Sequence, residues 1–486
     1  MEATIRMQKK NDQKTTIWSQ FIPLISVFFF WGFVAASNDI LIPVFKKEFD
    51  LTNFQSQWVA SAFYIAYTVG SLIYMGISKM KGRDIINQIG YKNALITGLV
   101  ISSLGTLLFI PAANTRSFPL MLSALFVVGL GFSLQQTVAN PLAILMGPKK
   151  TGSQRLTLAG GINNLGTTIG PLIVTYAIFG SVLSGNETAS IESVKTPYLF
   201  LGGAFLLVAI ILKFTDLPDK EETEEVEEDN ASGIRTSRSS ALKYPQLLLG
   251  MIGIFVYVGV EVATAANLPA YMETTMGFHT KDVAPYVSLY WASLMIGRWS
   301  GAVEAFNPAA GLLKFLKFLA PYLAFGVFLA VNAISQHDLT PFYTYAFIIL
   351  ILIAADMLSK GDPIRMLLLF SSLGIVALLV GIFSTGMVSI YAITSVGLFC
   401  STLWPCIFTI AVAGLGKHTN EGSSYLIMMI CGGGIISALQ GYIGDIVSIK
   451  LSYFVGIACF SYLAFYAIQS RNILKKQGIN FNELEA

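Results

Sequence analysis

The sequence predicts an all-α polytopic membrane protein with about fourteen transmembrane helices, arranged as two six-helix bundles plus an inserted helical pair. Three observations support this fold class. The composition is too apolar for a soluble domain, apolar stretches long enough to span a bilayer recur along the chain, and the two halves of the sequence resemble each other weakly.

The composition indicates a protein that uses lipid as its solvent. Of the 486 residues, 54% are hydrophobic and only 12% are charged, and the mean hydropathy is +0.65. This is too little charge to cover a soluble domain of this size. The four cysteines lie in apolar runs without the spacing of a metal site or a disulfide framework, and we expect no cofactor and no binding to nucleic acid.

Fourteen apolar segments of membrane-spanning length follow one another along the chain. A helix needs about 20 residues to cross a hydrocarbon core of roughly 30 Å, whereas a β-barrel strand needs about 10. The segments lie near residues 18–44, 51–77, 91–111, 119–146, 153–180, 196–214, 247–271, 283–303, 312–334, 341–358, 364–384, 386–414, 422–442 and 449–470. The basic N-terminus resembles a signal peptide, but the following apolar run is too long, so we expect a retained first helix.

The distribution of basic residues orients these helices. If the N-terminus is cytoplasmic, 25 of the 31 Lys and Arg residues lie in inner loops or at inner helix ends. This asymmetry predicts an even number of helices and two cytoplasmic termini.

A long polar interruption at 216–246 separates a first bundle at 1–215 from a second region at 247–486. It contains PDKEETEEVEEDN at 218–230, with eight acids and one Lys. We interpret the interruption as a flexible cytoplasmic linker, and a regulatory or docking role for its acidic run, 219–229, is the alternative.

A weak internal repeat locates the inserted pair. GSQRL at 152–156 corresponds to GSSYL at 422–426, and the mid-helix Pro141 corresponds to Pro405, at offsets of 270 and 264 residues. NDILIP at 38–43 and NLP at 267–269 are only 229 residues apart, so about 40 residues entered the second half, which fits a helical hairpin at about 312–358. Parallel six-helix repeats joined by a long loop are the layout of the major facilitator fold, whose solute site lies between the halves.

Polar side chains inside the apolar segments mark the candidate site, because a charge at the bilayer centre costs about 2.5–3.5 kcal/mol. We expect the acids Asp39 and Glu261 to couple a cation, although Asp39 as a helix cap near the outer interface is an alternative. Amides suit a polyhydroxylated solute and aromatic rings stack on sugars, while hydrogen bonding between helices explains one or two of the amides. The substrate-binding candidates are Trp31, Asn38, Gln135, Gln136, Asn140, Asn163, Asn164, Thr264, Asn267, Tyr290 and Trp404. We expect Arg298 and Asp356, near inner helix ends, to be structural.

At these residues the chain resembles the fucose:proton symporter family of the major facilitator superfamily, and especially its glucose/galactose branch. The resembling stretches are FFFWGFVAASNDILIPVF at 28–45, LTNFQSQWVASAFYIAY at 51–67, GLGFSLQQTVANPL at 129–142, RLTLAGGINNLGTTIGP at 155–171, FVYVGVEVATAANLPAY at 255–271, YWASLMIGR at 290–298, WPCIF at 404–408 and GSSYLIMMICGGGI at 422–435. They touch nearly every core helix in order.

The resemblance implies roles for individual residues. The family's first-helix Asp, implicated in proton coupling, falls on Asp39, its neighbouring Trp on Trp31 and its fifth-helix Asn on Asn163. Gln136 stands where fucose carriers have Glu, and Glu261 stands where they have Gln, and both departures match the glucose/galactose branch.

The resulting hypothesis is a monomeric hexose:proton symporter in a bacterial inner membrane. Sodium coupling, transport of fucose or N-acetylglucosamine, and a membrane sugar sensor with the acidic linker as its output are the alternatives. We expect no enzymatic activity, because the sequence contains neither HExxH nor GxSxG.

Overall fold

The computed structural model describes residues 15–50, 58–148, 151–179, 195–217, 238–278 and 280–479. The regular structure of these residues is helical throughout, without a β-strand. We number the long helical segments in chain order and divide them into a first group, α1–α6, and a second group, α7–α14. The acidic run of the predicted linker, 219–229, lies outside the described residues.

Several long segments consist of two consecutive helices. The first group comprises α1 (Trp18–Glu48), α2 (Trp58–Lys81), α3 (Tyr91–Leu107 and Phe109–Asn114), α4 (Phe118–Leu145), α5 (Gly152–Phe179) and α6 (Lys195–Phe214). The second group comprises α7 (Pro245–Met276), α8 (Thr280–Ala302), α9 (Ala310–Ile334), α10 (Tyr345–Ser359), α11 (Pro363–Phe383), α12 (Gly386–Cys400 and Leu403–Val412), α13 (Thr419–Met428 and Gly432–Ile446) and α14 (Ile449–Ser452 and Phe454–Lys476). A short helix, Ile85–Ile89, and the 3-10 turns Ala241–Lys243, Val303–Phe306, Thr340–Thr344, Gly416–His418 and Met429–Cys431 connect or interrupt them.

Among the described residues, 11 helices are long and apolar enough to cross a membrane. The long helices outside this set are α2, α5 and α8. They carry a larger share of polar residues, and each contacts the other group of helices: α5 packs on α8, and α2 packs on α13. The predicted count of about fourteen spanning helices therefore stays a prediction.

The same helix pairings occur in both groups. In the first group, α1 packs on α5, α3 on α4, α2 on α4 and α3 on α6. In the second group, α7 packs on α13, α11 on α12, α8 on α12 and α11 on α14. The helices α9 and α10 have no counterpart in this scheme: α9 packs mainly on α8, and α10 packs on α9 and α11.

Loop contacts define one end of the molecule, which we call the proximal end because α1 begins there. The Ile17 amide donates to the Met146 carbonyl at 3.1 Å, which joins the start of α1 to the end of α4. The Gln246 side chain, at the start of α7, bonds with Gln477, just past the end of α14. The odd-numbered helices therefore begin at the proximal end.

Local sequence determines where several helices begin and end. The Asp362 carboxylate accepts hydrogen bonds from the Ile364 and Arg365 amides and so caps α11, whose first residue is a proline. The side chain of Ser117 caps α4 in the same way. Gly277, with φ at +70°, ends α7 in a left-handed conformation that glycine adopts without a steric penalty.

Glycines allow the closest helix contacts inside each group. A Cβ on Gly32 of α1 would overlap the carbonyl oxygen of Asn163 of α5, and a Cβ on Gly166 of α5 would overlap the carbonyl oxygen of Phe29. In the second group, Gly432 of α13 lies equally close to the Phe255 carbonyl of α7. Without a hydrophobic driving force between helices in lipid, such small residues permit the backbone packing that holds a bundle together.

Gly32→Val should therefore lower the melting temperature of the detergent-purified protein by several degrees, since α1 and α5 must separate to admit the side chain. Gly203→Val on α6 is the matched control, because nothing lies within 4 Å of a Cβ placed there. Equal melting temperatures for the two variants in a thermal unfolding assay would contradict this packing scheme.

Candidate functional site

A buried arginine joins the two groups of helices. Arg298, near the end of α8, is 8% exposed. Its Nη1 donates to the Asn164 Oδ1 at 2.5 Å and to the Gly160 carbonyl at 3.2 Å, both on α5 of the first group. Its Nη2 lies 3.7 Å from the Glu261 Oε1 on α7. One guanidinium thus contacts an acid of its own group and an amide of the other.

Tyr257 completes the surroundings of Glu261. Its hydroxyl donates to the Glu261 Oε1 at 3.0 Å and lies 3.5 Å from the Nη2 of Arg298. The hydroxyl of Tyr290 on α8 donates to the backbone carbonyl of Glu261 at 2.8 Å. A buried carboxylate needs this kind of pairing with a cation and hydrogen-bond donors, because desolvation of an isolated charge is costly.

Two prolines supply unpaired carbonyls to the contacts around this site. Proline has no N–H, so Pro405 leaves the Ser401 carbonyl, four residues earlier, without its helical donor. The Nε of Arg298 donates to this oxygen at 2.9 Å. Pro141 leaves the Thr137 carbonyl free in the same way, and the hydroxyl of Ser423 on α13 donates to it at 2.7 Å. The two prolines related by the sequence repeat therefore have the same structural effect.

The small residues of α5 make room for α8. A Cβ on Gly160 would lie 3.3 Å from the Cδ of Arg298, and a Cβ on Gly161 would lie 3.1 Å from the Cδ1 of Trp299. The indole of Trp299 also approaches the Gly161 carbonyl, at 3.5 Å. This glycine pair lets the two groups contact each other directly beside Arg298.

The amides of the first group form hydrogen bonds between helices. Gln135 of α4 accepts from the Trp31 indole of α1 at 2.9 Å and donates to the Ser102 hydroxyl of α3 at 3.0 Å. The side chain of Gln136 donates to the Tyr67 hydroxyl of α2 at 2.9 Å. Together with Asn164, these residues show that bonding between helices engages more of the predicted amides than the one or two expected.

Asn163 makes one further contact between helices and stays partly accessible. Its Nδ2 donates to the Phe28 carbonyl of α1 at 3.0 Å. Asn163 and Gln136 are half-buried, and among the described residues their side-chain oxygens accept no hydrogen bond. Both amides therefore retain an acceptor that a solute hydroxyl can use.

The remaining candidates are more dispersed. Asn140 is 1% exposed, and its Nδ2 has no partner within the described part of the chain. On α7, the Asn267 side chain donates to the Ala263 carbonyl of its own helix, and the buried Thr264 hydroxyl lacks a described partner. Trp404 is half-buried, with its ring 6.3 Å from that of Tyr257.

Asn38 and Asp39 belong to α1, but their side chains lie outside the described residues. Tyr257 and Gln440 were not among the predicted candidates, and Arg298 was expected to be structural; the structure places Tyr257 and Arg298 beside Glu261. Gln440 of α13 is fully buried, and both of its side-chain polar atoms lack a partner within the described ranges. An amide in an otherwise apolar run was the available signal for Gln440.

Replacing Arg298 should destabilise the protein, because Glu261 would then lie buried without its cation. Removal of one partner from a buried ion pair costs about 3 kcal/mol or more. We expect Arg298→Gln to lower the melting temperature clearly more than Glu261→Gln, because the arginine keeps Asn164 and two carbonyls as acceptors.

The double variant Arg298→Gln/Glu261→Gln should lose less stability than the sum of the single variants, which thermal unfolding in detergent measures. Arg365→Gln is the control, since the Arg365 side chain is 41% exposed in its pair with Asp362. Strict additivity of the two site substitutions would show that Arg298 and Glu261 do not interact.

Comparisons with known proteins place this chain in a family. The model of the Major Facilitator Superfamily matches residues 24–335. A protein of Brucella abortus biovar 1 (strain 9-941), named glucose/galactose transporter, is 33% identical over 447 residues, which are 92% of each chain. The L-fucose-proton symporter of Escherichia coli (strain K12) is 26% identical, with 95% of both chains covered.

A solved structure extends the likeness to the fold. The crystal structure of FucP, a Major Facilitator Superfamily transporter in the outward conformation, has a TM-score of 0.68 and 25% sequence identity, and the match covers 93% of this chain and 98% of that one. The chain belongs to the major facilitator superfamily, within the fucose:proton symporter family and its glucose/galactose transporter branch.

Proposed function

We propose that this protein imports a hexose of the glucose/galactose type by proton symport across a bacterial inner membrane. The observation that carries the proposal is the polar contact of Arg298 with Glu261 on one side and Asn164 on the other, in a chain 33% identical to a protein named glucose/galactose transporter. A polar junction between two groups of helices is where a carrier of this fold binds its solute.

The proposed carrier has fourteen transmembrane helices, with bundles at 1–215 and 247–486, a cytoplasmic linker at 216–246 and an inserted pair at about 312–358. The recurrence of the same helix pairings around α9 and α10 supports this organisation. The proximal end faces the cytoplasm, and both termini lie there. Basic residues at the proximal ends of α2 and α14, including Lys79, Lys81, Lys475 and Lys476, support this orientation.

The hexose binds between the groups, in contact with polar and aromatic side chains of α1, α4, α5, α7, α8 and α12. The half-buried Gln136 and Asn163, with unused side-chain oxygens, are the best-placed acceptors for sugar hydroxyls. Trp31, Asn38, Gln135, Asn140, Asn164, Thr264, Asn267, Tyr290 and Trp404 complete the proposed substrate-binding set.

Arg298 links solute binding to the change of conformation. In this structure the Asn164 oxygen is occupied by the guanidinium, so the proximal end is held closed by a bond that must break when that end opens. The pair with Glu261 lies within the second group and need not break. Release of Asn164 frees an amide for a solute hydroxyl in the open state.

Asp39 carries the coupled proton in this proposal, and Glu261 is the second acid of the coupling machinery. A symporter links its two ligands because each binds more tightly when the other is present. The name L-fucose-proton symporter of a relative 26% identical to this chain supports a proton as the coupling ion. The proposed unit of transport is a monomer.

Purified protein in proteoliposomes should accumulate D-glucose and D-galactose when an inward proton gradient is imposed, and a sodium gradient at constant pH should not replace it. Asp39→Asn should abolish the accumulation of hexose against its gradient and the pH dependence of that accumulation. Counterflow of labelled hexose should persist in this variant. Asp50→Asn, an exposed acid just past α1, is the matched control. Intact concentrative uptake in Asp39→Asn would refute the coupling role, and an absence of counterflow in the wild-type protein would favour the sensor.

Gln136→Ala should weaken hexose binding roughly 3- to 10-fold, the loss expected when one hydrogen bond between neutral groups is removed. Competition between labelled glucose and unlabelled monosaccharides in counterflow measures this change. Asn93→Ala replaces an exposed amide on α3 and should have no effect. Equal apparent affinities of the two variants for glucose would show that Gln136 does not contact the bound hexose.

A further inference from the structure

A cluster of three charged residues, of which Lys317 and Asp356 are buried and Glu304 is partly exposed, lies where the inserted pair α9–α10 joins the rest of the molecule. The Lys317 Nζ of α9 lies 2.6 Å from the Glu304 Oε1 in the turn Val303–Phe306 and 3.3 Å from the Asp356 Oδ2 of α10. The Asp356 side chain is 1% exposed and that of Lys317 is 6% exposed. The Ser300 hydroxyl of α8 donates to the same Asp356 oxygen at 2.9 Å.

This cluster is unlike the rest of the pair, which presents apolar side chains to the outside. Exposed apolar residues of α9 and α10 include Phe315, Phe318, Leu323, Phe347 and Leu358. Burying the charges of Lys317 and Asp356 on this hairpin is costly unless they are paired and hydrogen-bonded. The contacts with Glu304 and Ser300 and the ion pair itself meet this requirement for Lys317 and one oxygen of Asp356.

A side chain of the first group contacts both ends of the inserted pair. The Nε2 of Gln154, near the start of α5, donates to the Glu304 Oε2 at 2.9 Å and to the Gly361 carbonyl at 2.9 Å. Glu304 precedes α9, and Gly361 follows α10. One oxygen of the Glu304 carboxylate therefore faces the first group of helices. There it accepts a hydrogen bond from Gln154, which is only 4% exposed.

Gly361, in the loop after α10, allows the close contact of this loop with Gln154 and Glu304. Gly361 has φ at +72°, and a Cβ there would overlap the Glu304 Oε2 and lie 2.9 Å from the Nε2 of Gln154. Any larger residue would therefore push the loop, the carboxylate and the amide apart. Glycine fits both the backbone conformation and the space.

Two further contacts join the first group to the same turn. The Thr16 hydroxyl, just before α1, donates to the Ala305 carbonyl at 2.7 Å. The ring of Trp18 stacks on that of Phe306, with centroids 4.8 Å apart. All these contacts lie at the proximal end, so the turn between α8 and α9 is held by α1 and α5 together.

We propose that the inserted pair α9–α10 is a latch that holds the proximal end closed. Lys317 of α9 pairs with the carboxylates of Glu304 and Asp356 and so fixes the position of the Glu304 carboxylate. Gln154 of the first group donates a hydrogen bond to that carboxylate. Opening of the proximal end breaks the bonds from Gln154, while the ion pairs within the second group persist. The latch rests on the proposed function only in that an alternating-access carrier must open this end.

The test measures the opening of the proximal end directly. Spin labels are placed on cysteines at Met80, at the end of α2, and Lys417, before α13, with the half-buried native Cys431 replaced by Ser. Met80 is 89% exposed and Lys417 is exposed, so the labels lie on opposite groups without entering the core. Distance distributions are recorded by pulsed electron resonance, without any sugar, in nanodiscs.

Gln154→Leu and Lys317→Met should each raise the ratio of long to short distances at least about tenfold, the change expected when a hydrogen bond to a charged group is lost. Lys314→Met, which removes an exposed lysine one turn away on α9, should match the wild type. Gln154→Leu leaves all three charges in place and should fold. If Lys317→Met fails to fold, the distances measured for Gln154→Leu therefore test the latch.

Distance distributions for Gln154→Leu that match the wild type would overturn the latch, as would an equal shift in Lys314→Met. Failure of the wild-type protein to transport hexose in proteoliposomes would refute the proposed function instead. The two results are separate, because the distances are measured without solute.

Discussion

The burial of one guanidinium constrains much of this structure. An arginine cannot lose its charge, and its five N–H donors must find acceptors once water is excluded. Arg298 finds them on three other helices: Glu261 and Tyr257 on α7, the Ser401 carbonyl on α12, and Asn164 with Gly160 on α5. A proline on α12 and a glycine on α5 are both needed to present these acceptors.

The contacts inside a group differ in kind from those between groups. Within the first group, α1 and α5 meet backbone to backbone at Gly32 and Gly166, which leaves little freedom for relative movement. Between the groups, the contacts around Arg298 and Gln154 are directional hydrogen bonds from single side chains. Such bonds are exchanged for bonds to water or solute at small net cost, as a moving interface requires.

Both polar junctions lie toward the proximal end. Arg298 is near the end of α8, Gln154 is near the start of α5, and the Ser423 bond to the Thr137 carbonyl joins α13 to α4 in the same part of the molecule. The inserted pair adds its charged cluster at this end alone. These contacts between the two groups hold the proximal end closed.

Much of the fold was predictable from hydropathy, because the length and apolarity of a segment are enough to predict a membrane helix. The same criterion is least decisive for α2, α5 and α8, which carry more polar residues. Some of these residues bond to helices of their own group and others to the other group. The repeat of Pro141 and Pro405 was visible in the sequence, but the acceptors that these prolines free depend on which helix lies beside them.

The candidate site was only partly predictable for a related reason. Buried amides are easily found in an apolar sequence, yet Gln135 and Asn164 show that the same amide can bind a helix or a solute, and only the neighbours decide. Arg298 and Asp356 lie near helix ends, where charges ordinarily reach water, so the sequence favoured a structural role. Their long-range partners, Asn164 and Lys317, are set by packing and not by periodicity.

The most direct test of coupled hexose and proton transport is the movement of protons caused by the sugar itself. Proteoliposomes loaded with a pH-sensitive dye, at equal pH on both sides and with potassium and valinomycin to clamp the potential, receive a pulse of D-glucose or D-galactose. We expect acidification of the lumen in step with sugar entry. Entry of hexose without acidification, or no response to any monosaccharide from folded protein, would contradict it.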